Sequence, residues 1–171
     1  MAKISGGEKV EAYFRDLSKK LDAGVLRVGF LEGATYPPRV TIKQPTKGKA
    51  KRRTKVGGQA QPLTVAAVAA FNEYGVPSRG QPPRPFFRNM IAEKGPSWPK
   101  AVAKLLKANN YDGDKTLRMT GEAIKGQLQQ SIIKLVSPPL SPRTVKAKGS
   151  SKPLIDTGHM LNSVDYEVVS K

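Results

Sequence analysis

Apolar residues recur at helical spacing in several separate stretches of the chain. Val10, Phe14, Leu17 and Leu21 follow one another at steps of four, three and four, which predicts an amphipathic helix. The same spacing predicts helices over 64–75, 86–94, 98–106 and 114–135, and Asp156 is predicted to cap a short one ending at Leu161. We expect the longest, 114–135, to be the central packing element, because Gly121 lies on its apolar stripe and lets a neighbour approach closely.

Two stretches alternate with the period of a strand. Residues 25–31 place Leu26, Val28 and Phe30 on one face, and residues 164–169 end the pattern with Val164, Tyr166 and Val168 on one side. We expect these two strands to pair. The predicted fold class is therefore α/β in the α+β sense, with a small mixed or antiparallel sheet packed by about five helices.

Charge and composition describe two segments to which the periodicity assigns no helix or strand. The 171 residues include 30 Lys and Arg but 13 Asp and Glu, a formal net charge of +17. A chain of this length predicts one domain over 1–171. The run of basic residues predicts an inserted basic arm over 38–62, which is a long loop or hairpin. The composition of 137–153 predicts a second loop, rich in Pro, Ser and Lys. Eight basic residues mark the arm and its start: Arg39, Lys43, Lys47, Lys49, Lys51, Arg52, Arg53 and Lys55.

These eight charges predict contact with DNA or with an acidic partner. Lysine and arginine that neutralise phosphates release condensed counterions, which gives affinity that depends on salt and ignores sequence. The arm contains no aromatic residue for base stacking, and a solvated loop that keeps the protein dispersed is the competing interpretation.

The remaining composition argues against catalysis. The chain has no cysteine and one histidine, so cysteine chemistry is excluded and we expect no metal and no cofactor. Asp156 and His159 are close enough in sequence to form a dyad, but a cap and a surface histidine are favoured over an enzyme. Capping also explains Asp112 and Asp114. No apolar run approaches the length of a membrane span, and we expect no signal peptide and synthesis in a reducing cytoplasm.

Four stretches in this order resemble one family of viral proteins. They are VGFLEGATYP at 28–37, VAAVAAFNEYGVPSRGQPPRPFFRNMIAEKGPSW at 65–98, GEAIKGQLQQSI at 121–132 and SSKPLIDTGHMLNSVDYEV at 150–168. The chain resembles the tail-completion or neck proteins of tailed bacteriophages, which join head to tail during virion morphogenesis. The basic arm, inserted between Pro37 and Val65, departs from the family's pattern, so the resemblance assigns it no role.

The resemblance implies a structural virion protein and not an enzyme. Such a protein assembles as a ring, commonly a hexamer, at the junction between the tail and the DNA-filled head, and lets DNA pass. Its implied partners are copies of itself, the neighbouring head-tail connector and the tail terminator or tube proteins, with non-specific contact to genomic double-stranded DNA and no membrane. The motifs implied to shape the subunit and its ring contacts comprise Asn72, Tyr74, Gly75 and Arg84 to Phe87, and the closing motif comprises Asp156, Thr157 and Gly158. Within them, the residues implied for the subunit interface are Tyr74, Arg84, Pro85, Phe86 and Phe87.

Two other function classes stay open on the sequence alone. A free basic nucleic-acid-binding protein would have the same charge excess but would work without assembling. An enzyme would depend on His159.

The adjacent rings of Phe86 and Phe87 point about 100° apart on a helix. We therefore expect one ring to lie in the core and the other to lie in an interface.

Overall fold

The computed structural model describes residues 7–21, 24–31, 33–36 and 62–169. These residues form a mixed α/β fold with a small sheet, which confirms the predicted fold class. Its elements in chain order are α1 (Gly7–Leu21), β1 (Val25–Phe30), α2 (Val65–Tyr74), α3 (Phe86–Lys94), α4 (Trp98–Ala108), α5 (Gly113–Lys134), α6 (Pro142–Lys148), α7 (His159–Asn162) and β2 (Val164–Val169). Single 3-10 turns lie at Pro77–Arg79 and Gly95–Ser97.

Short polar side chains set where several helices begin. The Thr64 hydroxyl accepts a hydrogen bond from the Ala67 amide at 3.2 Å at the start of α2. The Asp112 carboxylate accepts from the Lys115 amide at 3.0 Å at the start of α5. Capping is therefore the role of Asp112, as the sequence predicted.

Residues 137–153 are not the continuous loop that their composition predicts, because they contain α6. Ser141 caps this helix by accepting from the Thr144 amide at 3.3 Å, and Pro142 occupies the first turn, where its missing donor costs nothing. Gly149, with φ 72°, ends it in the left-handed conformation.

The start of α7 also differs from the prediction. The helix begins at His159, and Gly158 is its N-cap with φ 76°, a value that glycine adopts without steric cost. Asp156 lies exposed before this turn and does not cap the helix.

The expected pairing of the two strands is confirmed. β1 and β2 run antiparallel, with Val25 opposite Val169 and Phe30 opposite Val164. Arg27 and Glu167 face each other across the pair, with 3.3 Å between the guanidinium Nη1 and the carboxylate Oε1. The sheet packs against α5, which therefore forms the centre of the fold.

The core lies where α5 meets α3 and the sheet, with α2 packed on α3 and β1. Leu128 and Ile132 of α5 are fully enclosed. Phe86 and Met90 of α3 and the side chains of Val65, Val164, Leu154 and Met160 complete the same cluster. Within the described ranges, no helix combines the length and apolar character that crossing a bilayer requires.

Gly121 allows the sheet to reach α5. A Cβ atom built on Gly121 would lie 2.7 Å from Cγ of Tyr166 and 2.9 Å from Cδ1 of Leu26, closer than real Cβ contacts. Any side chain at this position would push the sheet away from the helix. The close approach expected from the sequence is confirmed.

Replacing Gly121 by alanine should destabilise the subunit by about 1–3 kcal/mol, because the methyl group overpacks a rigid aromatic contact. Gly126→Ala is the matched control on the same helix, since no atom lies within 4 Å of its built Cβ. This control should be neutral or more stable by about 0.5–1 kcal/mol. Urea unfolding of both variants gives the comparison, and equal stabilities would contradict the packing account.

Candidate assembly surfaces and basic regions

The predicted basic arm lies outside the described residues, as do all eight of its marked charges, but its two flanks are described. Thr35 and Thr64 form an antiparallel bridge. The Tyr36 amide donates to the Leu63 carbonyl at 2.9 Å, and the Val65 amide donates to the Ala34 carbonyl at 2.8 Å. The described residues on either side of 37–61 therefore lie next to each other.

His159 lies beside Thr35 and Tyr36, at the start of the segment 37–61, and not in a dyad with Asp156. Its Nε2 atom is 3.1 Å from the Thr35 carbonyl oxygen, and its ring packs edge-on against Tyr36 with 4.8 Å between ring centroids. These contacts fix the flank of the basic segment, which is a structural role for the residue.

The five predicted interface residues separate into buried and open positions. Arg84 and Phe86 are enclosed by the subunit, with exposed fractions of 5% and 1%. The expectation that these two contact a neighbouring copy is therefore corrected: they shape the subunit. Pro85 and Phe87 are half-buried, and Tyr74 is 67% exposed. Phe86 fills the core as expected, whereas Phe87 is partly buried and packs against the same core cluster. Its place in an interface stays a prediction.

Arg84 is a buried cation held by carbonyl groups. Its Nε donates to the Pro138 carbonyl at 3.2 Å, and its Nη2 donates to the Pro139 carbonyl at 3.5 Å. Burial lowers the pKa of this guanidinium from its usual value, although it stays charged. Arg84 thus ties the proline-rich connector before α3 to the segment that follows α5.

Glu73 performs a second joining role from the end of α2. Its carboxylate, 5% exposed, accepts from the Phe87 amide at 2.9 Å and from the Arg88 amide at 3.2 Å. It also accepts from Arg88 Nε at 2.8 Å. Pro85, the N-cap of α3, provides no side-chain cap, so Glu73 supplies both the acceptor and the negative charge that a helix start favours. The local sequence pattern does not single out Glu73, because its burial depends on α3 folding back onto α2.

One apolar surface is formed by α1. Val10, Tyr13, Phe14 and Leu21 are all exposed, and Phe14 keeps 60% of its accessible area. The helix contacts α5 but leaves most of its apolar stripe open. We call these four side chains the α1 surface. Large exposed apolar side chains on one side of a helix are typical of protein interaction sites.

A separate apolar surface is formed by α2 and α3. Phe71, Tyr74 and Ile91 are exposed, and the Arg88 guanidinium carbon lies 5.1 Å from the Tyr74 ring centroid. We call these four residues the α2–α3 surface. Aromatic and arginine side chains of this kind are enriched in protein interfaces. The sequence identified Tyr74 in this surface; the exposure of Phe71 and Ile91 depends on tertiary packing.

A second basic region lies on and after α6. Arg143, Lys146, Lys148 and Lys152 form no ion pair with any acid in the described part of the chain. The Lys148 ammonium donates to the Lys152 carbonyl at 2.6 Å. Its pKa is lowered mainly by burial and also by the charge of Arg84, while Asp156 opposes the shift. Lys148 therefore joins the end of α6 to the loop at Lys152. The exposed basic residues beside it add positive potential.

A groove of about 750 Å³ runs between α3 and α5. Its lining is mainly amide and apolar, and its acid, Glu93, pairs with Lys94 at 2.8 Å. Ser131 also lines it and donates its hydroxyl to the Phe86 carbonyl at 2.6 Å, so its proton is engaged by the backbone. Among the described residues, no group of three or more potential metal ligands occurs.

Comparison with protein-family models, with curated proteins and with solved structures yields no match for this chain.

Glu73→Gln should destabilise the subunit by about 1–3 kcal/mol, because the amide keeps the size of the side chain but offers fewer acceptors to three N–H donors. Glu93→Gln, which removes an exposed carboxylate, should change stability by less than about 0.5 kcal/mol. Thermal unfolding followed by circular dichroism measures both. Equal effects of the two substitutions would show that Glu73 does not cap α3.

Proposed function

We propose that this chain is a structural virion protein of a tailed phage. It forms a ring, commonly of six copies, at the head-tail junction, where it joins the tail to the DNA-filled head and lets DNA pass. The observation that carries the proposal is the pair of separate exposed apolar surfaces on one subunit, on α1 and on α2–α3. The resemblance of four ordered stretches to neck proteins supports the location at the junction.

A closed ring needs two different surfaces on every copy. In a head-to-tail contact, one patch of each subunit binds a different patch of the next, and the ring closes when the rotation allows it. The α1 surface and the α2–α3 surface belong to elements with different neighbours, since α1 packs on α5 while α2 packs on α3 and β1. Each large apolar side chain that becomes fully buried contributes about 1.5–3 kcal/mol. A few such residues suffice for a stable contact.

The charge of the subunit makes assembly and DNA contact respond oppositely to salt. Copies with a formal charge of +17 repel one another, and salt screens that repulsion. Contact with DNA weakens as salt rises, because counterion release loses its advantage. Assembly that persists or strengthens in salt while DNA binding falls therefore supports the ring.

A free basic nucleic-acid-binding protein is the second candidate, favoured by the same charge excess. It would stay monomeric in the absence of nucleic acid at any salt concentration. The open apolar surfaces favour the ring, because nucleic-acid binding by charge alone does not need them.

The double substitution of Val10 and Phe14 by glutamine should abolish assembly without unfolding the subunit. Both side chains are more than half exposed in the single subunit, and glutamine keeps the helix propensity of α1. Sedimentation velocity without nucleic acid should show a discrete multimer for the unmodified protein and a monomer for the variant. Tyr74→Gln, on the other surface, should have the same effect.

Val136→Gln is the matched control, since Val136 is 68% exposed but lies outside both surfaces. It should assemble normally. Phe86→Ala should instead lose about 3–5 kcal/mol of stability, as expected for a core residue. A normal multimer from the Val10 and Phe14 variant would reject the α1 surface as an interface.

The location is tested by electron microscopy of phage particles labelled with an antibody against this chain. Label at the head-tail junction supports the proposal. Label elsewhere on the particle, or its absence from particles that contain all other virion proteins, would reject it.

A further inference from the structure

Three lysines form a line on the exposed side of α4. Lys100, Lys104 and Lys107 are spaced four and three residues apart, and all three are exposed. At about 100° per residue, their side chains start within about 60° of one another around the helix axis. At about 1.5 Å per residue, they span about 10.5 Å along it. We call these three residues the α4 lysine row.

No acid accompanies the α4 lysine row. The helix, WPKAVAKLLKA, contains no Asp or Glu. None of the three lysines forms an ion pair within the described ranges, whereas Lys20, Lys94 and Lys125 each pair with a carboxylate. Exposed lysines that neighbouring acids do not neutralise keep their full potential for an external anion.

The helix that carries the row packs firmly against α5. Val102, Leu105 and Leu106 are partly buried on the other side of α4, which packs against α5. The Trp98 indole donates to the Gln127 side-chain oxygen at 2.9 Å and ties the start of α4 to the same helix. Docking an anion therefore costs lysine side-chain entropy without ordering the backbone.

We infer that the α4 lysine row binds the phosphate backbone of duplex DNA. The inference deepens the proposed function and rests on it, since a subunit that lets DNA pass needs a surface that faces the DNA. One DNA strand carries a phosphate about every 3.4 Å along the duplex axis, so about three phosphates fall within the length of the row.

The composition of the row favours DNA over an acidic protein. Lysine is depleted in protein interfaces, where arginine and aromatic residues are enriched. The exposed side of α4 carries no arginine or aromatic residue beside the row. Lysine acts as a point charge, which suits contact with a backbone regardless of sequence.

The test replaces Lys100, Lys104 and Lys107 together by glutamine in the full chain. Binding to a short mixed-sequence DNA duplex is followed by fluorescence anisotropy over about 50–200 mM salt. Loss of three phosphate contacts should reduce the slope of log affinity against log salt by about 2.7. The unmodified protein should then lose about 40-fold more affinity than the variant over this range.

The control removes the same charge from scattered positions, through Arg79→Gln, Lys134→Gln and Lys146→Gln. These exposed residues belong to three different segments. The control should change the slope by clearly less than the row variant. Equal changes in the two variants would overturn the inference, because net charge and not the row would then determine binding. Loss of binding to polyglutamate with unchanged DNA binding would also overturn it, in favour of an acidic protein.

Sedimentation velocity separates this inference from the proposed function. The row variant should still form the multimer, since its substitutions lie outside both apolar surfaces. An assembled variant with an unchanged DNA slope rejects the row and leaves the ring proposal standing. A monomeric unmodified protein whose DNA slope depends on the row rejects the ring and leaves the DNA contact standing.

Discussion

The contact between the sheet and α5 at Gly121 is the constraint on which the rest of the subunit depends. A two-stranded sheet is marginal by itself, so β1 and β2 need a helix beneath them. The absence of a side chain at Gly121 lets Tyr166 and Leu26 reach the helix backbone. The same helix packs on α3 and α4, so one element positions the sheet, the core and the surfaces together.

Two buried charges fix the region around α3. Glu73 joins the end of α2 to the start of α3, and Arg84 joins the connector before α3 to the carbonyls of Pro138 and Pro139. Both charges are satisfied by several hydrogen bonds, as buried charges must be. They fix the end of α2 against the start of α3, the two helices that carry Phe71, Tyr74 and Ile91. A preorganised surface of this kind loses less entropy when a partner binds.

The sequence predicted the features that depend on local pattern. The central helix, the pairing of the two strands and the caps at Thr64 and Asp112 follow from periodicity and capping chemistry. The short helix α6 was not predicted, because a polar helix of seven residues shows no apolar periodicity. Periodicity identified α1 as amphipathic but does not reveal whether another element covers its apolar side. The burial of Arg84 and Glu73 depends on segments distant in sequence, and both residue types are normally exposed.

We propose that copies of this chain cover each other's apolar surfaces. A cryo-electron-microscopy map of the purified protein, prepared without nucleic acid, tests it most directly. The account predicts a closed ring in which α1 of each copy lies against α2 and α3 of the next, with Phe14 and Tyr74 buried between them. A particle in which α1 and α2 both face solvent would contradict it.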